Sequence, residues 1–252
     1  MNTNKNPNEA DDWNSHWSDQ QWIASVNPAQ KMRHKEICTR ITKLKSRDVL
    51  DVGCGQGDLL VALNELKLNA SLTGCDPSLV AIESAKLKAP EVKFICADLI
   101  NEVPSELYGK SFDTVTLVEV IEHLDNPSDL LKKVSQSMKS NSTLIVSVPS
   151  GPRSAFEVSI GHRQHFTEQS LMKLLTESGY KDIKISQIGF PFFNLYKLVV
   201  KLRGTQLHAD IDSFNTGGGL VARIAMRIFD LLFRFNQSWI PFGWQLVAQC
   251  SR

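Results

Sequence analysis

The chain has 252 residues, 28 Lys and Arg against 27 Asp and Glu, and a formal charge of +1. A composition of 42% hydrophobic and 22% charged residues is that of a folded globular protein, which excludes wholesale disorder and fibrous structure. The balanced charge argues against a duplex nucleic-acid binder, and the five scattered cysteines contain no CxxC, so neither a disulfide framework nor a thiolate zinc site is expected.

The N-terminus is Asn-rich to Ala10 and then carries Trp13, Trp17 and Trp22. It lacks the basic start and apolar core of a secretion signal, and no apolar run approaches the roughly 18–20 residues of a membrane span. A reduced, cytoplasmic setting is the expectation. Residues 1–47 read as a lead-in with a helix over the ligand site, and 48–252 as one α/β domain. Within it the short β-branched runs 48–52, 71–76, 92–96, 112–118 and 143–148 are bounded by Gly, Asp or Pro. Amphipathic stretches at 57–67, 78–88 and 127–139 separate them, and a further helix fits 167–178. This alternation predicts parallel βαβ units in an open twisted sheet, which binds ligands beyond the carboxyl ends of its strands.

The first strand runs into Gly53-Cys54-Gly55-Gln56-Gly57-Asp58. Glycines at these positions let the backbone turn sharply and approach a ligand closely. A dinucleotide fingerprint would place Gly at 58, where Asp stands, so a pyrophosphate is disfavoured. With Asp51 just before it, the loop suits a ligand carrying an ammonium group and a nucleoside. The second strand ends in Asp76-Pro77-Ser78, and a carboxylate there can accept both ribose hydroxyls. Ala97-Asp98-Leu99, after the third strand, offers an acceptor to an adenine amino group.

On these motifs, over roughly residues 27–187, the chain resembles the class I S-adenosylmethionine-dependent methyltransferases. The resemblance implies a Rossmann-like seven-stranded sheet, mostly parallel with an antiparallel last strand, and helices on both faces. It implies S-adenosyl-L-methionine as cofactor and S-adenosyl-L-homocysteine as product. Asp51, Gly53, Cys54, Gly55 and Gly57 would surround the methionine part and ribose, Asp76, Pro77 and Ser78 the ribose, and Ala97, Asp98 and Leu99 the adenine. Val118 or Glu119, after the fourth strand, would face the cofactor. Asn27-Pro28 with Arg33 is similar to the segment of ubiquinone-pathway O-methyltransferases in which an Arg meets the cofactor carboxylate. The string Glu119-Val120-Ile121-Glu122-His123-Leu124 looks like that of small-molecule O- and C-methyltransferases, as does Gly161-His162-Arg163-Gln164-His165. Neither the Asn/Asp-Pro-Pro-aromatic tetrad nor the Pro–Cys nucleophile of base methyltransferases is present.

Methyl transfer from a sulfonium requires alignment and exclusion of water more than covalent help. A hydroxyl acceptor must also lose a proton, a task suited to His. His123 is the first candidate base and His162 the second. Alternatively, Glu119, Glu122 and His123, spaced i, i+3, i+4, would join His162 to hold Mg²⁺ or Mn²⁺. That set resembles the divalent site of small-RNA 2′-O-methyltransferases, although many enzymes with this string need no metal. An RNA-terminal enzyme and an inactive cofactor-binding regulator are the other functions considered.

Two closing strands are expected at 181–188 and 244–250, with a helical cap inserted between them at about 190–243. Residues 190–252 hold seven Lys and Arg against three acids. The segment 220–235 forms an amphipathic helix with Arg223, Arg227, Asp230 and Arg234 on one stripe, and 192–203 is a second apolar-basic stretch. The cap either roofs the acceptor pocket, touches lipid or a lipid-linked substrate as a peripheral membrane contact, or meets a protein. Trp13, Trp17, Trp22, Phe192, Phe193 and Tyr196 would line a pocket for an aromatic or apolar acceptor. Sequence alone leaves the oligomeric state open.

Overall fold

The computed structural model describes residues 12–15, 17, 27–107, 112–209, 220–237 and 240–252. Seven strands form one sheet in the order β3-β2-β1-β4-β5-β7-β6. They are β1 (Asp48–Val52), β2 (Ser71–Asp76), β3 (Lys93–Cys96), β4 (Phe112–Val118), β5 (Met138–Pro149), β6 (Lys181–Ile188) and β7 (Gln245–Ser251). Only β7 runs antiparallel among them, slotted between β5 and β6. The order reverses at β1, whose neighbours β2 and β4 leave in opposite directions, and the carboxyl ends of all three open at one rim.

Period-two side chains divide the core. Leu50, Val52, Leu117, Leu144 and Val146 pack on one face beneath α4 (Pro127–Gln136) and α6 (Glu168–Glu177). Val49, Ile145 and Val247 face the other side, against α1 (Pro28–Leu44), α2 (Asp58–Glu65) and α3 (Leu79–Lys88). Adjacent residues of one strand thus serve two cores, as parallel strands covered on both faces require.

Local chemistry starts the helices where they are needed. Asn27 accepts the Ala29 N–H at 2.9 Å and Pro28 opens α1. Ser78 caps α3 by accepting the Ala81 N–H. Capping boxes begin α5 (Ala155–Ser159), through Ser154 and Glu157, and α6, through Thr167 and Ser170. The insertion contributes α7 (Phe192–Arg203) and α8 (Leu220–Leu232); their Phe193, Tyr196 and Phe229, with Phe233 of the 3₁₀ turn that follows α8, meet Ala29 in a third, aromatic core.

Two expectations need correction. The helix expected over 127–139 ends at Gln136, and β5 begins at Met138 rather than 143. α1 packs Ile37, Cys38 and Ile41 into the outer core, and its first turns approach the rim, where Arg33 meets Glu119. A helical turn at residues 13–15 lies over the rim, where Trp13 and Trp17 line the cleft.

Candidate active site

The loop after β1 is held to the end of β2 by the Gly53 and Cys54 N–H groups, which donate to the Cys75 carbonyl at 2.8 and 3.1 Å, and by the Asp76 carboxylate. Asp76 accepts the Gly55 N–H at 2.8 Å through Oδ2 and the Ser78 N–H at 2.9 Å through Oδ1. Burial raises the pKa of Asp76, and these two donors partly offset it. Gly53 and Gly55 have φ values of +72° and +51°, and a Cβ on Gly53 would stand 2.5 Å from a Val120 methyl. Both positions therefore need glycine for conformation and for space. Asp51 is buried beneath the loop, where Thr116 donates to it at 2.6 Å. Burial pushes its carboxyl up to about 7 against the Thr116 hydrogen bond, with the Asp76 charge adding to the rise.

A cleft of about 130 Å³ opens at this rim, lined by Gly53, Asp76, Pro77, Ala97, Asp98, Leu99 and Glu119 from the strand ends and by His123. Asp98 accepts from the Ile100 N–H and from Asn101, so its carboxylate is fixed at the lip. Trp13 and Trp17 complete the lining. Trp17 fills the space that a Gly55 Cβ would take, at 2.4 Å, and Asn14 accepts from Ser78 Oγ at 3.0 Å. Phe193 and Tyr196, expected as pocket lining, belong to the aromatic core instead, with Phe192 packed against it; Trp22 lies outside the described residues. Of the other expected cofactor residues, Asp51, Cys54, Gly57, Ser78 and Val118 stand behind the lining, with Cys54 buried and its thiol raised by burial. A larger groove of about 690 Å³ lies between α1 and α2, away from the strand ends.

Past β4 the chain makes a 3₁₀ turn, Ile121–His123. Glu119, at φ +58°, turns away from this group. It accepts from Gln245 at 2.7 Å and faces Arg33 at 3.7 Å. Arg33 thus meets the fourth-strand acid across the rim, and Glu119 does not join the other three groups of the expected metal set. Glu122, His123 and His162 do converge, with one potential ligand atom from each lying within 4.8 Å of the others. Glu122 is fully buried, and neither carboxylate oxygen has a hydrogen-bond partner among the described residues. Burial, then the charge of Glu119, raises its pKa well above the usual carboxylate range.

Behind His162 the tautomers are set by a carbonyl. His165 Nδ1 lies 3.1 Å from the Gly151 oxygen, which can only accept, so this nitrogen carries a proton. Burial and the Lys197 charge lower the His165 pKa against the Glu157 charge and the Gly151 hydrogen bond, which favours the neutral ring with its lone pair on Nε2. That atom lies 3.2 Å from His162 Nδ1, which must donate to it, so the His162 lone pair sits on Nε2. Burial, then His123, holds His162 neutral too. His165 is also 3.8 Å from Glu157, which pairs with the buried Lys197 of α7. Burial alone would raise the Glu157 carboxyl, but Lys197 and the Ser154 donors outweigh it and lower the pKa. Neither Glu157 nor Lys197 stands out in the sequence, because a pair 40 residues apart leaves no local pattern.

The strand order, the glycine-rich first turn and the acid closing β2 define a class I S-adenosylmethionine-dependent methyltransferase fold. Residues 29–185 match the family described as "Methyltransferase domain", and the chain belongs to that family. It is 34% identical over 125 residues to a mitochondrial ubiquinone biosynthesis O-methyltransferase of Candida albicans, covering 48% of this chain and 37% of that protein. It is 30% identical over 124 residues to (S)-tetrahydroprotoberberine N-methyltransferase of Eschscholzia californica, covering 49% and 35%. The chain therefore spans little more than a third of these relatives. Among solved structures, an S-adenosylmethionine-dependent methyltransferase of Thermotoga maritima superposes with a TM-score of 0.59 at 17% identity, over 95% of this chain and 99% of that one.

Two outcomes are expected. A ligand reaching Gly55 must displace Trp17, so Trp17→Ala should tighten S-adenosylmethionine binding severalfold in calorimetry; weaker binding would make Trp17 a wall of the site instead. The folded-state pKa of Asp51, about 7, exceeds the ordinary 3.8, so its contribution to stability is full below 3.8 and lost as pH rises to about 7. Over that range the Tm of the parent protein should fall more steeply than that of Asp51→Asn.

Proposed function

We propose that the protein transfers a methyl group from S-adenosylmethionine to a hydroxyl oxygen of a small-molecule acceptor, releasing S-adenosylhomocysteine. The observation that carries this reading is that His123 lines the same cleft as Gly53, Asp76 and Asp98. Cofactor-type groups and a proton acceptor thus share one cleft. Each Asp76 oxygen uses one lone pair on a backbone N–H, and the carboxylate keeps further acceptor capacity for two ribose hydroxyls. Asp98, in the cleft lining, would offer the corresponding acceptor to an adenine amino group, and Arg33, which faces Glu119 of that lining, would receive the methionine carboxylate.

In the transfer, an acceptor oxygen lone pair attacks the methyl carbon in line. The carbon–sulfur bond breaks with its electrons going to sulfur. His123 takes the hydroxyl proton as the oxygen gains the methyl group, and neutral His162 packs edge-on against it at 4.7 Å between ring centroids. Trp13, edge-on to His123 at 5.1 Å, keeps water from that ring and offers an apolar wall to the acceptor. The relatives include both O- and N-methyltransferases. The buried His pair favours oxygen, because a neutral amine can be methylated before it loses a proton.

Glu122 favours a second reading, in which a divalent cation takes part. An unpartnered buried carboxylate beside two imidazoles fits such an ion, and Glu122, His123 and the Nε2 of His162 would hold it. A hard cation there would supply Lewis acidity toward an acceptor oxygen.

Asp76→Asn should weaken S-adenosylmethionine binding by about 1.5–3 kcal/mol, one hydrogen bond to a charge, measured by calorimetry. Unchanged affinity would remove Asp76 from the ribose site. His123→Ala should lower kcat by about 10²–10⁴-fold with little change in cofactor Kd. Full activity in chelator would support the His base alone; loss that Mg²⁺ or Mn²⁺ restores would support the cation.

A further inference from the structure

The insertion between β6 and β7 turns two apolar stripes outward. On α8, Leu220, Ile224, Ile228 and Leu231 are 71, 49, 50 and 53% exposed, and their spacing puts them on one face. Phe235, in the turn that follows, continues it. At about 100° per residue, Arg227 and Arg234 run along one edge of this stripe, and both are exposed. On α7, Leu195, Leu198, Val199 and Leu202 form a second exposed stripe, with Lys201 and Arg203 exposed at the end of the helix. Single exposed aliphatic residues are ordinary, but two continuous stripes on neighbouring helices are not.

Charge identifies the occupant. Asp230 is the one acid on either helix, so both helices carry a net positive charge. An aliphatic row edged by arginines is the composition of helices that lie in a membrane interface. No helix among the described residues is long and apolar enough to cross a membrane, so an in-plane position is the one available.

We propose that α7 and α8 dock the protein on an anionic lipid surface. The stripe of α8 enters the acyl boundary, and Arg227, Arg234 and Lys201 meet headgroup phosphates. The inner side of α7 carries Lys197 to Glu157, and so to the His165–His162 pair. The docking element is thereby the same element that backs the acceptor rim. Docking of this kind stands apart from methyl transfer.

Co-sedimentation with vesicles tests it. The protein should pellet with vesicles of phosphatidylcholine and phosphatidylglycerol, stay in solution with phosphatidylcholine alone, and be released by salt. The double variants Arg227→Glu/Arg234→Glu and Ile224→Ser/Ile228→Ser should keep the parent Tm and S-adenosylmethionine affinity. Partitioning should fall by about fivefold for each arginine charge removed, and further on reversal. Failure to bind phosphatidylglycerol vesicles overturns the proposal, as does binding that both double variants retain. A dimer in size-exclusion chromatography that the Ile224→Ser/Ile228→Ser change dissolves would also overturn it, making the face a contact between copies.

Discussion

The hydrogen bonds from Gly55 and Ser78 to the Asp76 carboxylate hold the rim of the sheet together. They join the turn after β1 to the start of α3, two segments that the parallel register alone would leave as separate loops. With that clamp in place, Gly53 lies under Val120, and β4 can deliver the turn bearing His123 to the same opening. The clamp requires a buried acid, and burial disfavours its ionised form; the two N–H donors supply the compensation. Asp51, one layer deeper, accepts from the Thr116 hydroxyl, and fuller burial with the neighbouring Asp76 charge pushes its pKa up to about 7. The core beneath the loop thus gives up stability as pH rises, a familiar arrangement near sites shaped by function.

The same economy of partners governs the histidines. The chain from the Gly151 carbonyl through His165 to His162 fixes one proton arrangement in a pocket too dry to charge the rings. Lys197 and Glu157, both buried, anchor its far end. Removing either would strand the other as an uncompensated buried charge, on the order of 3–5 kcal/mol. The insertion is therefore tied to the rim by chemistry as well as by the aromatic core of Phe193 and Phe233.

Much of this was legible in the sequence, for physical reasons that differ by element. The strands Asp48–Val52, Ser71–Asp76, Phe112–Val118 and Lys181–Ile188 begin and end where the β-branched runs do, because Gly, Asp and polar turns punctuate them. The start of β5 was hidden because Lys139-Ser140-Asn141-Ser142 is polar, and pairing with β4, not side-chain pattern, draws Met138 into the strand. Asp76, Gly53 and Asp98 could be placed from motif spacing, since strand ends share one rim. Glu119 could not, because its direction depends on a left-handed residue and on Gln245, 126 positions away. Trp13 and Trp17 could be suspected as aromatic lining, but their seat over the glycine loop is a tertiary fact without periodicity.

The position of β7 has a consequence for how this chain can change. Ile188, the last residue of β6, sits opposite Gln245, the first of β7, so the insertion leaves and re-enters the sheet at neighbouring points. A segment with joined ends behaves as a replaceable module. Its length alters closure entropy only logarithmically, and the strand register on either side is indifferent to what lies between. Such a segment can diverge while the rim of β1, β2 and β4 remains constant. Gln245 sets the limit of that freedom: as the first residue after the module, it also steadies Glu119 and Ser147. Any exchange of the segment must return the chain to the sheet with that amide in place.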